Sequence, residues 1–213
     1  VNGRMETRVS GLYASGEAVG GANGANRLSG NALVEAFVFG ERAGRFSAIY
    51  ARGKERGWSN KSGIRHLDSL NNLISCKHDD DADHAELGQI WVELQNLMWK
   101  NVGVLRTGLK LEKALLSLRS IRKNLGEVTP AKGEAFNLTL QDWFDLRSGL
   151  LVAEAVTLSA LNRTESRGAH QREDFTETKE SFERNQSISL DINGLLNSSF
   201  VTPNNFNQSE NTK

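Results

Sequence analysis

Residues 84–126 read HAELGQIWVELQNLMWKNVGVLRTGLKLEKALLSLRSIRKNLG. Leu87, Ile90, Trp91, Leu94, Leu97 and Met98 recur at helical intervals, and Leu111, Ala114, Leu115, Leu118, Ile121 and Leu125 form a second stripe. Gly103 and Gly108 bracket a break between the two, and Gly126 with Pro130 stops the second. Asp79, Asp80, Asp81, Asp83 and Glu86 place negative charge at the start of the first helix, where its dipole favours it. A third helical pattern covers about residues 138–162 with two apolar stripes. One is Leu140, Phe144, Leu151, Ala155 and Leu158; the other is Trp143, Leu146, Leu150 and Ala153. A helix apolar on two sides packs on both neighbours. The fold class is therefore mainly α, with a three-helix antiparallel bundle free of strands. Trp91, Leu94, Leu115, Leu118, Leu151 and Leu158 are expected in its core. Trp99 and Trp143 also read as core; Trp58 stands in a polar stretch without assignment.

Upstream, six of the 20 glycines fall within residues 11–31. Residues 11–14, Gly-Leu-Tyr-Ala, read as a short buried strand, and a glycine loop follows. Asn31 reads as an N-cap before ALVEAFVFGERAG, where Leu33, Phe37, Val38 and Phe46 keep helical spacing. A strand, a glycine loop and a helix N-terminus bring backbone amides toward an anionic or electron-rich ligand. Residues 51–80 read as a short helix and a long connection. Downstream, residues 165–213 turn polar and end in VTPNNFNQSENTK, a composition expected to be disordered at the tip.

The composition excludes several classes. The 26 Lys+Arg balance 26 Asp+Glu, which argues against a dedicated nucleic-acid binder. One cysteine leaves no internal disulfide framework and fits a reducing compartment. No apolar run reaches the roughly 18–20 residues of a membrane-spanning helix. The chain opens on VNGRMETRVSG, polar and turn-like, and reads as a portion of something longer.

Three segments carry a resemblance. GLYASGEAVGGANGANRLSGNALVEAFVFGERAG at residues 11–44 resembles the last FAD-contacting segment of the succinate dehydrogenase, fumarate reductase and L-aspartate oxidase flavoproteins. VGVLRTGLKLEKAL at residues 102–115 is similar to the start of the second helix of that family's C-terminal helical domain. SALNRTESRGAHQREDF at residues 159–175 is similar to the segment that leaves that domain. The matches keep the family's order and spacing and span most of the chain. The dinucleotide fingerprint GxGxxG is absent, as are the capping domain with its proton-donating arginine and a histidine segment upstream. The resemblance thus implies the C-terminal portion of a flavoprotein of roughly 500–600 residues, four or five typical domain lengths. Residues 1–47 would be the end of an FAD-binding domain, a strand-loop-helix remnant; 48–164 a helical domain; and 165–213 a polar tail.

The resemblance also implies roles. Gly16 and Glu17 would contact the cofactor, the Glu17 carboxylate accepting from a ribityl hydroxyl; otherwise Glu17 is a solvated loop residue. Arg27 would be catalytic. Its planar guanidinium clamps a substrate carboxylate and stabilises charge developing during hydride transfer. The plainer reading of Arg27 is a helix-flanking arginine paired with Glu35. Asn31, Ala32 and Leu33 would present the helix start to the flavin, with the Ala32 and Leu33 amides facing the pyrimidine edge; the family often has Ser where this chain has Ala32. FAD would be shared with a missing N-terminal half. That half, an iron-sulfur electron-transfer subunit and a small dicarboxylate are the implied partners, and no nucleic acid is. Residing in the cytoplasm, or on the inner face of a membrane through partners, is the expected location. Alone, the chain is expected to be inactive. A non-catalytic helical interaction module that retains a flavin-site loop is the rival class.

Two other clusters have plainer readings. Arg163, Arg167, His170 and Arg172 read as a solvated, salt-bridged segment, with Glu165, Glu173 and Asp174 as partners, or else as a docking surface. Cys76, His78, His84 and the acids between them offer metal donor types, yet the C-x-H-x5-H spacing fits no known site, so no metal is expected. The sequon Asn137-Leu138-Thr139 carries no weight without a secretory signal.

Overall fold

The computed structural model describes residues 1–20, 22–27, 29–54, 63–64, 67–68, 71, 84–127 and 136–202. Trp58, Cys76, His78 and the acids at 79–83 lie outside the described residues, as do most of the 51–80 connection and the tip at 203–213. The chain forms two compact units, Val1–Gly63 and Ile64–Lys213.

The first unit is built on one long helix, α1 (Asn31–Arg52). The strand expected at residues 11–14 is reduced to an isolated bridge between Glu6 and Tyr13, and Leu12 is exposed. Gly11 sits at φ 83°, which breaks an extended run. Gly16–Ala18 form a single 3₁₀ turn. Gly16 is buried at φ 66°, and a Cβ there would lie 3.6 Å from the Ala36 Cα, so a glycine lets this turn lie against α1. The N-cap is Gly30, at φ 97°, rather than Asn31, which is the first helical residue and makes no capping bond. A residue with positive φ suits glycine, which takes the cap and shifts the helix start by one. Only Ala43 of α1 is buried; Leu33, Val34, Phe37 and Val38 are exposed.

The second unit holds α2 (His84–Val102), α3 (Gly108–Glu127) and α4 (Leu138–Asn162). Leu87 and Leu94 pack with Leu118, Ile121, Leu125, Trp143, Leu146 and Leu150, whereas Val102 packs with Leu111, Ala114 and Ala160. The start of α2 therefore meets the end of α3 and the first half of α4, and its end meets the start of α3 and the end of α4. Successive helices run antiparallel. Leu94, Leu115 and Leu118 are buried as expected, and Trp143 is too. Trp91, Leu151 and Leu158 are half-buried. Trp99 is 80% exposed. Five residues past Leu94, it lies about 140° around the helix from the buried face. The two stripes of α4 differ: Trp143, Leu146, Leu150 and Ala153 are core, and Leu140, Phe144, Leu151, Ala155 and Leu158 are half-buried. Each fully buried leucine contributes about 1.5–3 kcal/mol by leaving water. Asn137 caps α4, its Oδ1 accepting from the Leu140 N–H at 3.0 Å.

The bundle is not strand-free. Between α2 and α3 runs β1 (Leu105–Arg106), parallel to β2 (Gln171–Arg172), with Leu105 opposite Gln171 and Arg106 opposite Arg172. The turn into β1 is tight: a Cβ on Gly103 would meet the Trp99 carbonyl oxygen at 2.7 Å. Gly103→Ala is expected to destabilise the unit by about 1–3 kcal/mol, the usual cost of overpacking. A lowered urea midpoint at constant slope would show it, and an unchanged midpoint would refute the steric argument.

The expected polar tail is also corrected. After a 3₁₀ turn at Glu180–Phe182 comes an antiparallel hairpin, β3 (Asn185–Leu190) and β4 (Leu196–Val201), with Leu190 opposite Leu196. Asp191 Oδ1 closes its turn, accepting from the Asn193 and Leu195 N–H groups, each at 2.8 Å, and Gly194 supplies φ 74°. The hairpin packs on α4. Among the described residues no helix is long and apolar enough to cross a membrane.

Candidate functional site

The glycine loop is held to α1 at two places. Gly16 lies against Ala36, and Asn23 Nδ2 donates to Glu35 Oε1 at 2.6 Å. Glu35, the acid that the plainer reading pairs with Arg27, is thus engaged elsewhere. Arg27 is exposed, and its N–H donates to Asn26 Oδ1 at 2.9 Å. Its guanidinium has no partner among the described residues. Glu17, in the 3₁₀ turn, is exposed, and so are Asn31, Ala32 and Leu33. The Leu33 N–H donates to Gly30 O at 3.1 Å, whereas the amides of Asn31 and Ala32 find no described acceptor.

This surface fits a flavin edge chemically. A helix N-terminus carries a positive partial charge and open donors. Gly24 and Gly30, at φ 60° and 97°, present bare backbone with open space where a side chain would stand, so a flat ring can approach. Arg27 adds a cation and Glu17 an acceptor, neither with a side-chain partner among the described residues.

A second constellation lies in the second unit, and it is buried where solvation was expected. The Glu165 carboxylate is fully buried. Arg163 Nη1 donates to its Oε1 at 2.6 Å and Arg167 Nε at 3.0 Å; Arg167 Nη2 and the Lys179 N–H donate to its Oε2 at 3.2 and 2.8 Å. Burial pushes this carboxyl up, but the hydrogen bonds from Arg167, Lys179 and Arg163 outweigh it and hold the group at about 2. Arg172, 2% exposed, grips Asp174 with Nε and Nη2 at 2.7 and 2.8 Å, and its Nη1 donates to the Ala160 and Leu161 carbonyls at the end of α4. Arg172 holds the Asp174 carboxyl well below the usual range, with the Gly108 N–H helping at 2.7 Å. One ion pair thus ties the end of α4 to the start of α3.

Arg106 and Glu154 carry no role in the sequence reading. Glu154 is buried mid-helix; Arg119 Nε donates to its Oε1 at 3.0 Å, and Arg122 Nη1 stands 2.7 Å from Oε2 at ion-pair distance without hydrogen-bond alignment. The signal was an acid inside the apolar run Val-Ala-Glu-Ala-Val. Arg106 Nε donates to the Val102 and Gly103 carbonyls at 3.1 and 2.9 Å, and Nη1 to His170 Nδ1 at 2.9 Å. Because guanidinium only donates, Nδ1 accepts, and the Nε2–H of His170 donates to Arg163 O at 3.0 Å. An accepting Nδ1 belongs to the neutral ring; burial lowers the His170 pKa, the hydrogen bond to the Arg163 carbonyl opposes this, and the arginines around it add to the lowering.

These features define a helical domain preceded by a glycine loop and an open helix start. Residues 91–198, just over half of the chain, match the family described as the fumarate reductase flavoprotein C-terminal domain, and the chain belongs to that family. An uncharacterized FAD-dependent oxidoreductase of Methanocaldococcus jannaschii is 36% identical over 187 residues, 87% of this chain and 32% of that one. One polypeptide of the CoM/CoB fumarate reductase of Methanothermobacter marburgensis is 37% identical over 183 residues, 84% of this chain and 31% of that one. A quinol-fumarate reductase structure with menaquinol molecules superposes with a TM-score of 0.82 at 30% identity, over 92% of this chain and 35% of that one. The chain spans about a third of the length of the relatives it matches. The similarity is wider than residues 91–198 and reaches into the first unit.

Proposed function

We propose that this chain is the C-terminal portion or subunit of an FAD-dependent oxidoreductase that moves hydride between flavin and a small dicarboxylate. The observation that carries this is Arg27. In a chain homologous to FAD-dependent oxidoreductases, it is an exposed guanidinium without a described partner, four residues before the open start of α1. FAD, when bound, does the two-electron chemistry. Glu17 accepts a hydrogen bond from a hydroxyl of the cofactor's chain. Ala32 N–H and the positive end of α1 favour negative charge on the ring's edge. Leu33 belongs to the same turn, though its N–H already bonds to Gly30 O. Arg27 takes a substrate carboxylate in two-pronged fashion and orients it toward the ring. The cradle for the cofactor's pyrophosphate and the group that protonates substrate come from outside this chain, as does the electron-transfer partner, an iron-sulfur subunit.

The test supplies an N-terminal FAD-binding half, taken from the M. jannaschii relative, as a separate polypeptide. Gel filtration should give a peak containing both chains with flavin absorbance and dicarboxylate turnover. If the two chains elute together without flavin, or do not associate, the chain reverts to a helical interaction module.

A further inference from the structure

Arg106 stands among paired arginines without an acid of its own among the described residues. The other arginines around it each have an acid: the half-buried Arg163 and Arg167 share Glu165, and the buried Arg172 holds Asp174. Arg106 has two carbonyls and a neutral imidazole, and no carboxylate among the described residues. Burial and the neighbouring Arg172 both depress its pKa, the signature of a cation lacking a counter-charge.

This cation lines a groove of about 390 Å³, open along one side, together with Arg163, His170 and Gln186. Its wall is the apolar side of α4, where Val152, Ala155 and Val156 stand. Val152 is 62% exposed and Val156 42%. Among the described residues no acid lines the groove. Arg163 is consumed: besides Glu165, its guanidinium donates to the Phe182 and Arg184 carbonyls at 2.9 and 2.7 Å. His170 is consumed likewise, through both ring nitrogens. Among the described residues of the groove, Arg106 alone is left to receive a carboxylate, beside a strip of branched apolar side chains.

We infer that this groove docks a polypeptide segment carrying one carboxylate next to short apolar side chains, and that the segment belongs to the part of the flavoprotein this chain does not contain. The apolar wall and the one lining guanidinium without a described carboxylate match such a segment in polarity and charge, and the open side suits an extended backbone rather than an enclosed small acid. The relatives' chains are about three times as long as the portion matched here, so a large part of such a protein lies outside the matched portion and supplies candidate segments. This rests on the proposed reading of the chain as one portion of a larger flavoprotein.

The test measures affinity between this chain and the N-terminal half from the M. jannaschii relative. Arg106→Gln removes the charge, and Val152→Asp places a carboxylate in the groove from within. Each is expected to weaken association about 30-fold or more, as for loss of one partner of a desolvated charge pair. Lys113→Glu, an exposed charge reversal elsewhere on α3, should leave it unchanged. Because Arg106 also caps α2, circular dichroism must show a folded Arg106→Gln; Val152 is exposed, and its variant carries the test if Arg106→Gln unfolds. Unchanged affinity in Val152→Asp would overturn the inference while leaving the proposed function standing. Failure of the unmodified chain to bind would sink that reading, and the inference with it. A photo-crosslinker at position 152 should label an acid-containing segment of the N-terminal half; labelling an electron-transfer subunit instead would also overturn the inference.

Discussion

Glu165→Gln is expected to destabilise the helical unit by about 3 kcal/mol, the low end of what breaking a buried ion pair costs. The side chain is fully buried and receives four hydrogen bonds. The amide keeps the shape but loses the charge, and it turns an acceptor into a donor facing Arg163 and Arg167. Both arginines keep some contact with water, at 15% and 23% side-chain exposure, which sets the low end of the range. Arg167→Met should cost less, because Glu165 retains Arg163 and the Lys179 N–H. The pH dependence follows from the same carboxyl, whose folded pKa of about 2 is below the ordinary 4.5. The stability it gives is complete above 4.5 and is lost as pH falls from there toward 2. Asp174, depressed as well, adds to the same acid loss. Urea unfolding from pH 7 to pH 2 should therefore show a shallower acid slope in Glu165→Gln than in the unmodified chain. Equal midpoints at pH 7, within about 0.5 kcal/mol, would mean the pair is energetically neutral.

The bundle was legible because its determinants are local and periodic. Leu87, Leu94, Leu111, Leu118, Leu146 and Leu150 each sit where 3.6-residue spacing puts them, and each is buried. What escaped the sequence depends on long-range closure. The hairpin at residues 185–201 is short and polar, and its exposed face hides the alternation that Ile188, Leu190 and the Asp-Ile-Asn-Gly turn encode. Strand β1 is two residues long and exists because Arg106 lines up with Arg172, 66 positions away in the chain. Arg172 and Glu165 read as solvated because charged residues usually are; only the folded chain brings the ends of α4 and β2 around them. At the glycine loop the residue types were informative and the backbone details were not. Gly30 rather than Asn31 caps α1 because the turn needs φ near 97°, a requirement with no pattern of its own. Trp99 shows the limit of stripe counting: on a surface helix, one residue's offset separates core from solvent.

Arg27→Lys is expected to lower kcat/KM about 100–1000-fold in a complete enzyme, reassembled from this chain and an N-terminal FAD-binding half. The substitution keeps the charge and removes the planar pair of donors. What is lost is orientation: a lysine ammonium holds one oxygen of a carboxylate as a point charge and leaves the acid free to turn relative to the ring. Nothing in the fold opposes the change. Arg27 is exposed, its guanidinium has no described partner, and Asn23 already holds Glu35; stability should therefore stay within about 0.5 kcal/mol of the parent, as for ordinary surface positions. That separation makes the experiment decisive. A structural arginine would show itself as a lowered unfolding midpoint with turnover intact, whereas a substrate clamp shows the reverse. Flavin retention divides the site further. Arg27→Lys should keep it near the unmodified level, because the clamp faces substrate. Glu17→Ala should lower flavin content first, because that carboxylate faces the cofactor. Turnover of Arg27→Lys equal to the parent with succinate, fumarate and aspartate alike would remove the dicarboxylate from the proposal. A loss of turnover that disappears at saturating substrate would instead mark Arg27 as a binding group with no added hold on the transition state, since only interactions stronger there raise kcat.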